Sequence, residues 1–156
     1  MIKVNLFAVG KVKEEYFAKG IGEYSKRLGK FCDFRIVEIK EEALKGETDS
    51  EIARALRAEG ANIKRAIKGE YYVFSPDGAE TTSEGFSELI SSVIDEGKEV
   101  NFVIGSSYGL SDEVRSGAKG RISFSKMTFP HTLFRLCACE QIYRAFTIIT
   151  GATYHK

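Results

Sequence analysis

Residues 101–109 read Asn101-Phe-Val-Ile-Gly-Ser-Ser-Tyr-Gly109, a short apolar strand that runs straight into a turn bounded by two glycines. The pattern returns downstream. There the apolar run Arg121-Ile-Ser-Phe-Ser125 gives way to Lys126-Met-Thr-Phe-Pro-His131, and then to a long helical pattern from Thr132 to about Ile149. Between the two lies a short helix signal, Ser111-Asp-Glu-Val114. Two strand ends therefore deliver two loops, each leading into a helix. In open parallel sheets, ligands bind in the crevice beyond the carboxyl ends of the strands. This stretch predicts both the class of fold and the place of its site.

Working outward, the N-terminal run Met1 to Val9 is almost continuously apolar and reads as a buried strand ended by Gly10. From Glu14 to Leu28, Tyr16, Phe17, Ile21, Tyr24 and Leu28 recur at helical spacing, with Gly29 expected at the C′ position. Phe34, Ile36, Val37 and Ile39 predict a second strand, and the charged segment Glu41 to Glu47 a loop. Thr48-Asp-Ser-Glu51 offers a capping box for a helix to about Lys68. Gly60 lies inside that helix, at a local cost of up to ~1 kcal/mol relative to alanine. Tyr71-Tyr-Val-Phe74 predicts a third strand closed by the turn Ser75-Pro-Asp-Gly78, and Ser83 to Gly97 the next helix.

Five strands alternate with helices over residues 1–156, with no repeat and no linker. That is the pattern of a single α/β domain whose sheet is mostly parallel, with helices on both faces. The last helix is apolar most of the way round, through Leu133, Phe134, Leu136, Cys137, Ile142, Tyr143, Phe146, Ile148 and Ile149. Such a helix needs burial on more than one side, which predicts a homodimer.

The 156 residues are 43% hydrophobic and 29% charged, ordinary for a soluble globular chain. No apolar run approaches the ~20 residues that span a bilayer, and the N-terminus lacks signal-peptide regions, so a cytoplasmic protein with no membrane partner is expected. Cys32, Cys137 and Cys139 make no disulfide framework, and with only His131 and His155 as further soft ligands no metal site is expected. The formal net charge is +1, yet from Arg115 onward seven lysines and arginines face a single acid beyond Glu113, Glu140. This is either a surface for an anionic ligand or a solvated basic face.

Gly105-Ser-Ser-Tyr-Gly109 also matches the nucleophile-elbow pattern, with Ser107 as nucleophile, Glu113 or Glu140 as acid and His131 or His155 as base. Against it, the following helix signal begins only near Ser111, whereas an elbow turns directly into its helix. The other use of the turn needs only its backbone, since a glycine at a strand end lets a ligand approach the main chain. No Walker or dinucleotide fingerprint is present, which leaves nucleoside triphosphate and NAD chemistry unsupported.

Several segments taken together carry a family resemblance: Phe7-Ala-Val-Gly-Lys11, Ile21-Gly-Glu-Tyr-Ser-Lys-Arg-Leu28, Val103-Ile-Gly105, Phe124-Ser-Lys-Met-Thr-Phe-Pro-His131, Glu140-Gln-Ile-Tyr-Arg-Ala-Phe146 and Tyr154-His-Lys156. In this order and at this length they resemble the bacterial ribosomal RNA large subunit methyltransferase H family, in the SPOUT class of S-adenosylmethionine enzymes. The resemblance implies an α/β fold with a C-terminal trefoil knot, paired as a homodimer. It implies methyl transfer from S-adenosylmethionine to N3 of a pseudouridine in 23S ribosomal RNA, on the assembled ribosome. The implied cofactor positions are Phe74, Gly105, Phe124, Ser125, Lys126, Met127, Thr128 and Phe129. Two departures are visible: Ser106 where the family commonly has a second glycine, and Phe74 where leucine is frequent.

Removing the N3 proton calls for a general base or a cation that stabilises the developing anion. His131, just after the cofactor loop, is the first candidate. Arg135 lies one helical turn on and is expected to hold a phosphate or a base carbonyl. Glu140 and Arg144 are spaced as a helical ion pair. Tyr154 and His155 in the tail are expected, from the resemblance, to help complete an active site, that of the partner subunit included. A ribosome-binding factor that keeps the fold without turnover is the non-enzymatic alternative.

Overall fold

The computed structural model describes residues 1–156. In chain order the elements are β1 (Lys3–Val9), α1 (Glu15–Leu28), β2 (Asp33–Ile39), α2 (Asp49–Ala66), β3 (Tyr72–Glu80), α3 (Ser83–Asp95), β4 (Val100–Ile104), α4 (Asp112–Gly117), β5 (Gly120–Ser123) and α5 (His131–Thr150). The strands form one sheet in the order β2-β1-β4-β3-β5, and every pairing between them is parallel. All five carboxyl ends therefore emerge at the same edge.

Strand alternation sorts the core into two layers. Val4, Leu6 and Ala8 of β1, with Val100, Phe102 and Ile104 of β4, face one side. Ile21 and Leu28 of α1, Phe86, Ile90 and Val93 of α3, and Ala138, Ile142 and Phe146 of α5 cover them. Phe7, Val9 and Val103 face the other side and meet Ile63 of α2 and Val114 of α4. Each large side chain removed from water here contributes about 1.5–3 kcal/mol. α5 packs against both α1 and α3, which buries Ile142 and Phe146, while Leu133, Phe134, Leu136, Cys137, Tyr143 and Ile148 are half-buried and Ile149 is exposed.

Four local expectations change. The anticipated turn Ser75–Gly78 does not end the third strand. β3 continues to Glu80, with its register against β5 shifted between Phe74 and Ala79. Pro76 has no N–H to give a ladder, and Gly78 admits a close approach, since a Cβ there would lie 2.8 Å from the Arg121 backbone. Gly29 closes α1 in a right-handed conformation (φ −57°) rather than as a left-handed cap, and the chain tightens onward into Phe31 and Cys32. The Thr48 hydroxyl caps α2 by accepting from Glu51 N, but the Glu51 carboxylate accepts from Lys45 N and Arg54, so the capping box is only half formed. Finally, α5 begins at His131, directly behind Pro130.

Candidate active site

A cavity of about 660 Å³ opens beyond the carboxyl ends of β4 and β5, beside the register shift of β3. Its size falls within the roughly 300–1,000 Å³ of small-molecule sites. Phe74, Phe124 and Phe134 build its apolar wall as a mutually packed aromatic triad, with ring centroids 5.0–5.3 Å apart. They come from the first half of β3, just before its register shift, the exit of β5 and the first turn of α5, so only the assembled sheet brings them together.

The turn after β4 supplies the facing wall. Gly109 takes φ +90°, and its N–H donates to the Ser106 carbonyl at 2.9 Å. A Cβ at Gly105 would lie 2.3 Å from the Gly109 carbonyl oxygen, so the turn closes this tightly only with glycine there. Ser106 is buried, whereas Ser107 and Tyr108 are exposed at the rim. The third wall is the loop after β5. Ser123 Oγ shares its one proton between the carbonyls of Ser125 (2.9 Å) and Pro76 (3.2 Å), and Met127 N–H donates to Ser125 Oγ (3.0 Å). Those bonds hold Ser125, Met127, Thr128 and Phe129 along the mouth, with Met127 71% exposed.

Of the eight residues expected at the cofactor, seven line this cavity; Lys126 does not, and its ammonium lies 3.5 Å from Glu80 on the open surface. His131 lines it as well, standing over Gly10, where a Cβ would lie 3.6 Å from His131 Cε1 and 3.5 Å from Glu41 Oε2. Arg135 takes another course. It is 3% exposed, ion-paired to Glu38 at 2.7 Å, and donates to the Gly10 carbonyl at 3.0 Å, so it ties the start of α5 to the ends of β1 and β2.

Tyr154 and His155 also stand apart from the cavity. Tyr154 packs edge-on against Tyr143 at 4.8 Å under the Arg144 guanidinium, and burial, with Tyr24 and Glu140 beside it, pushes its phenol up to about 12. His155 Nδ1 lies 3.1 Å from Arg144, and its Nε2 lies 2.7 Å from Glu84, whose carboxyl it holds below the usual range. A second groove, about 510 Å³, shares Phe124, Ser125, Phe129 and Phe134 with the cavity and runs along α5 to Tyr24 and Glu140, where the tail begins.

The hydrolase arrangement is not assembled. Ser107 and His131 border the same cavity but share no hydrogen bond, Glu113 and Glu140 do not line it, and the following helix starts only at Asp112. What sequence reasoning missed is Arg115, which lines the cavity and pairs with Asp77 of β3 at 2.6 Å. The partners are 38 residues apart, and no spacing rule connects them.

A family model described as "Predicted SPOUT methyltransferase" matches residues 2–155. The protein of Limosilactobacillus reuteri (strain DSM 20016) named Ribosomal RNA large subunit methyltransferase H is 44% identical over 159 aligned residues, which take in 99% of this chain and 100% of that one. The protein of the same name from Caldicellulosiruptor saccharolyticus is 46% identical over 158, covering all of both chains. A solved methylase-family protein from Neisseria gonorrhoeae superposes with a TM-score of 0.52 over 91% of this chain and 82% of its own, at 9% identity, a likeness of fold alone. With nearly its whole length matched, from the first strand to the tail, this chain belongs to the SPOUT methyltransferase family.

Proposed function

We propose that this protein is an S-adenosylmethionine-dependent methyltransferase acting on N3 of a pseudouridine in 23S ribosomal RNA, with the strand-end cavity as its cofactor site. The observation that carries the reading is the cavity itself, in which seven of the eight expected cofactor residues meet. Its chemistry suits the cofactor: an apolar aromatic wall for a purine, and the Ser75, Ser106 and Thr128 hydroxyls with turn backbone for a ribose and an amino-acid end. The bound cofactor supplies an electrophilic methyl on a sulfonium, so the protein's task is alignment, exclusion of water and management of one proton. His131, at the cavity's edge, receives the N3 proton or stabilises the anion it leaves. Tyr108, Met127 and Phe129 offer exposed apolar surface around the mouth against which a base can stack.

The same reading makes the protein a homodimer of the cytoplasm, with Tyr154 and His155 serving the partner's site. Their distance from the cavity within one chain, and the groove leading from the tail to the shared phenylalanines, support that arrangement. It also implies a trefoil knot in the C-terminal part of the chain. The test is incubation with labelled S-adenosylmethionine and ribosomes from cells lacking this modification. Label on a 23S pseudouridine is expected; no label and no cofactor binding would overturn the reading. His131→Ala is expected to lower the rate about 100-fold or more with cofactor binding intact.

A further inference from the structure

Glu59 is the only acidic residue buried as a whole, and one of its carboxyl oxygens has no partner; the other such oxygen, Glu14 Oε2, belongs to a half-buried residue. Glu59 lies on α2, on the sheet face opposite α5, and is 3% exposed. Its Oε2 accepts from Glu42 N–H at 2.9 Å, and its Oε1 has no partner. Burial, and then the nearby Glu41 and Glu42, push this carboxyl above the usual range, and no cation lines the space around it. An unsatisfied buried acceptor of this kind costs free energy, so its retention calls for a use.

The space into which Glu59 faces points to that use. A small pocket of about 30 Å³, room for a single water, is lined by Glu59, Glu41 and Glu42 together with Ser106 and Tyr108. Ser106 and Tyr108 border the large cavity as well, so the two spaces share the turn after β4 as a wall. The next residue of α2 supports the far end of the same segment. A Cβ on Gly60 would lie 2.5 Å from Ser111 Oγ and 3.0 Å from Val114 Cγ2, so α2 touches the N-cap of α4 directly. Two consecutive residues of a helix outside the site thus stand under both ends of the Ser106–Ser111 segment.

We propose that the Glu59–Gly60 pair is the footing of the cofactor turn, and that Glu59 is a positioning residue whose free carboxyl oxygen holds Ser106, through one ordered water, in the conformation that binds cofactor. This rests on the cofactor reading of the large cavity. Glu59 touches neither cofactor nor RNA in this scheme. It sets the shape of the wall that does.

The experiment compares wild type, Glu59→Gln and Glu59→Leu by calorimetric titration with S-adenosylmethionine, alongside thermal melts and amide exchange at Gly105–Tyr108. Glutamine keeps the size, the acceptor for Glu42 N–H and a group that bonds water, and is expected to bind as wild type does. Leucine is expected to weaken cofactor binding roughly tenfold and to speed exchange in the turn, with the rate at saturating cofactor little changed. Equal affinity for all three folded proteins would overturn the proposal, as would a lower melting temperature for leucine without a weaker affinity. Should the leucine variant not fold, Glu59→Ala makes the same comparison. Failure of the wild type itself to bind would instead count against the cofactor reading.

Discussion

Arg135 occupies the place, one turn beyond His131, where a cation for the RNA is expected, yet its guanidinium points inward to Glu38 and the Gly10 carbonyl. Helical spacing fixed its distance from His131 but not its direction, because direction depends on what lies under α5. We predict that Arg135→Met destabilises the fold by about 1–2 kcal/mol in urea unfolding, since the Gly10 carbonyl loses its donor while the exposed Glu38 carboxylate is solvated. Cofactor affinity at temperatures where the variant is folded should stay within about threefold of wild type. Gly105 makes the complementary case. Its role at a strand end is readable from sequence, but the reason it must be glycine, a carbonyl 2.3 Å from where a Cβ would sit, is a property of the closed turn. Gly105→Ala is expected to open the Gly105–Gly109 turn and weaken S-adenosylmethionine binding by roughly 100-fold in titration, with smaller effects on melting temperature.

At the scale of elements, the apolar periodicities of α1, α2 and α3 were legible because each helix buries one stripe. α5 was legible as an unusual helix, but not for its partners: intrachain packing on both α1 and α3 accounts for much of its apolar surface. β3 was only half legible. Pro76 and Gly78 are turn residues by local rules, yet the neighbouring β5 tolerates them as an irregularity and pairing resumes at Ala79. Gly60 shows propensity and packing in conflict. Alanine there would favour the isolated helix by up to ~1 kcal/mol. Its methyl, however, would sit 2.5 Å from Ser111 Oγ. We predict that packing wins: Gly60→Ala should lower stability by about 1–3 kcal/mol in denaturant unfolding. A gain in stability would mean that α2 and α4 slide apart freely.

For the molecule as a whole, the basic C-terminal segment is largely neutralised once folded. Arg115 meets Asp77, Lys119 meets Glu70, Lys126 approaches Glu80, Arg135 meets Glu38 and Arg144 meets Glu140. Most of those acids lie far away in sequence, so a charge count along the chain overstated the positive surface. The division of the site between two subunits is testable by mixing inactive variants. If the tail serves the partner, heterodimers of His131→Ala with His155→Ala contain one intact site, and activity should return to about half of wild type per mixed dimer. If each tail serves its own subunit, no activity returns. Sequence by itself determined the alternation of strands and helices, the strand-end location of the site and, through its motifs, the family. These follow from periodicity, turn chemistry and local order, which are written in neighbouring residues. Tertiary structure alone decided which cations remain free, where Arg135 points, why Gly60 is glycine and how Glu59 comes to share a pocket with Ser106 and Tyr108. Each of these is a contact between residues tens of positions apart, whose geometry exists only once the sheet has brought its strand ends to one edge.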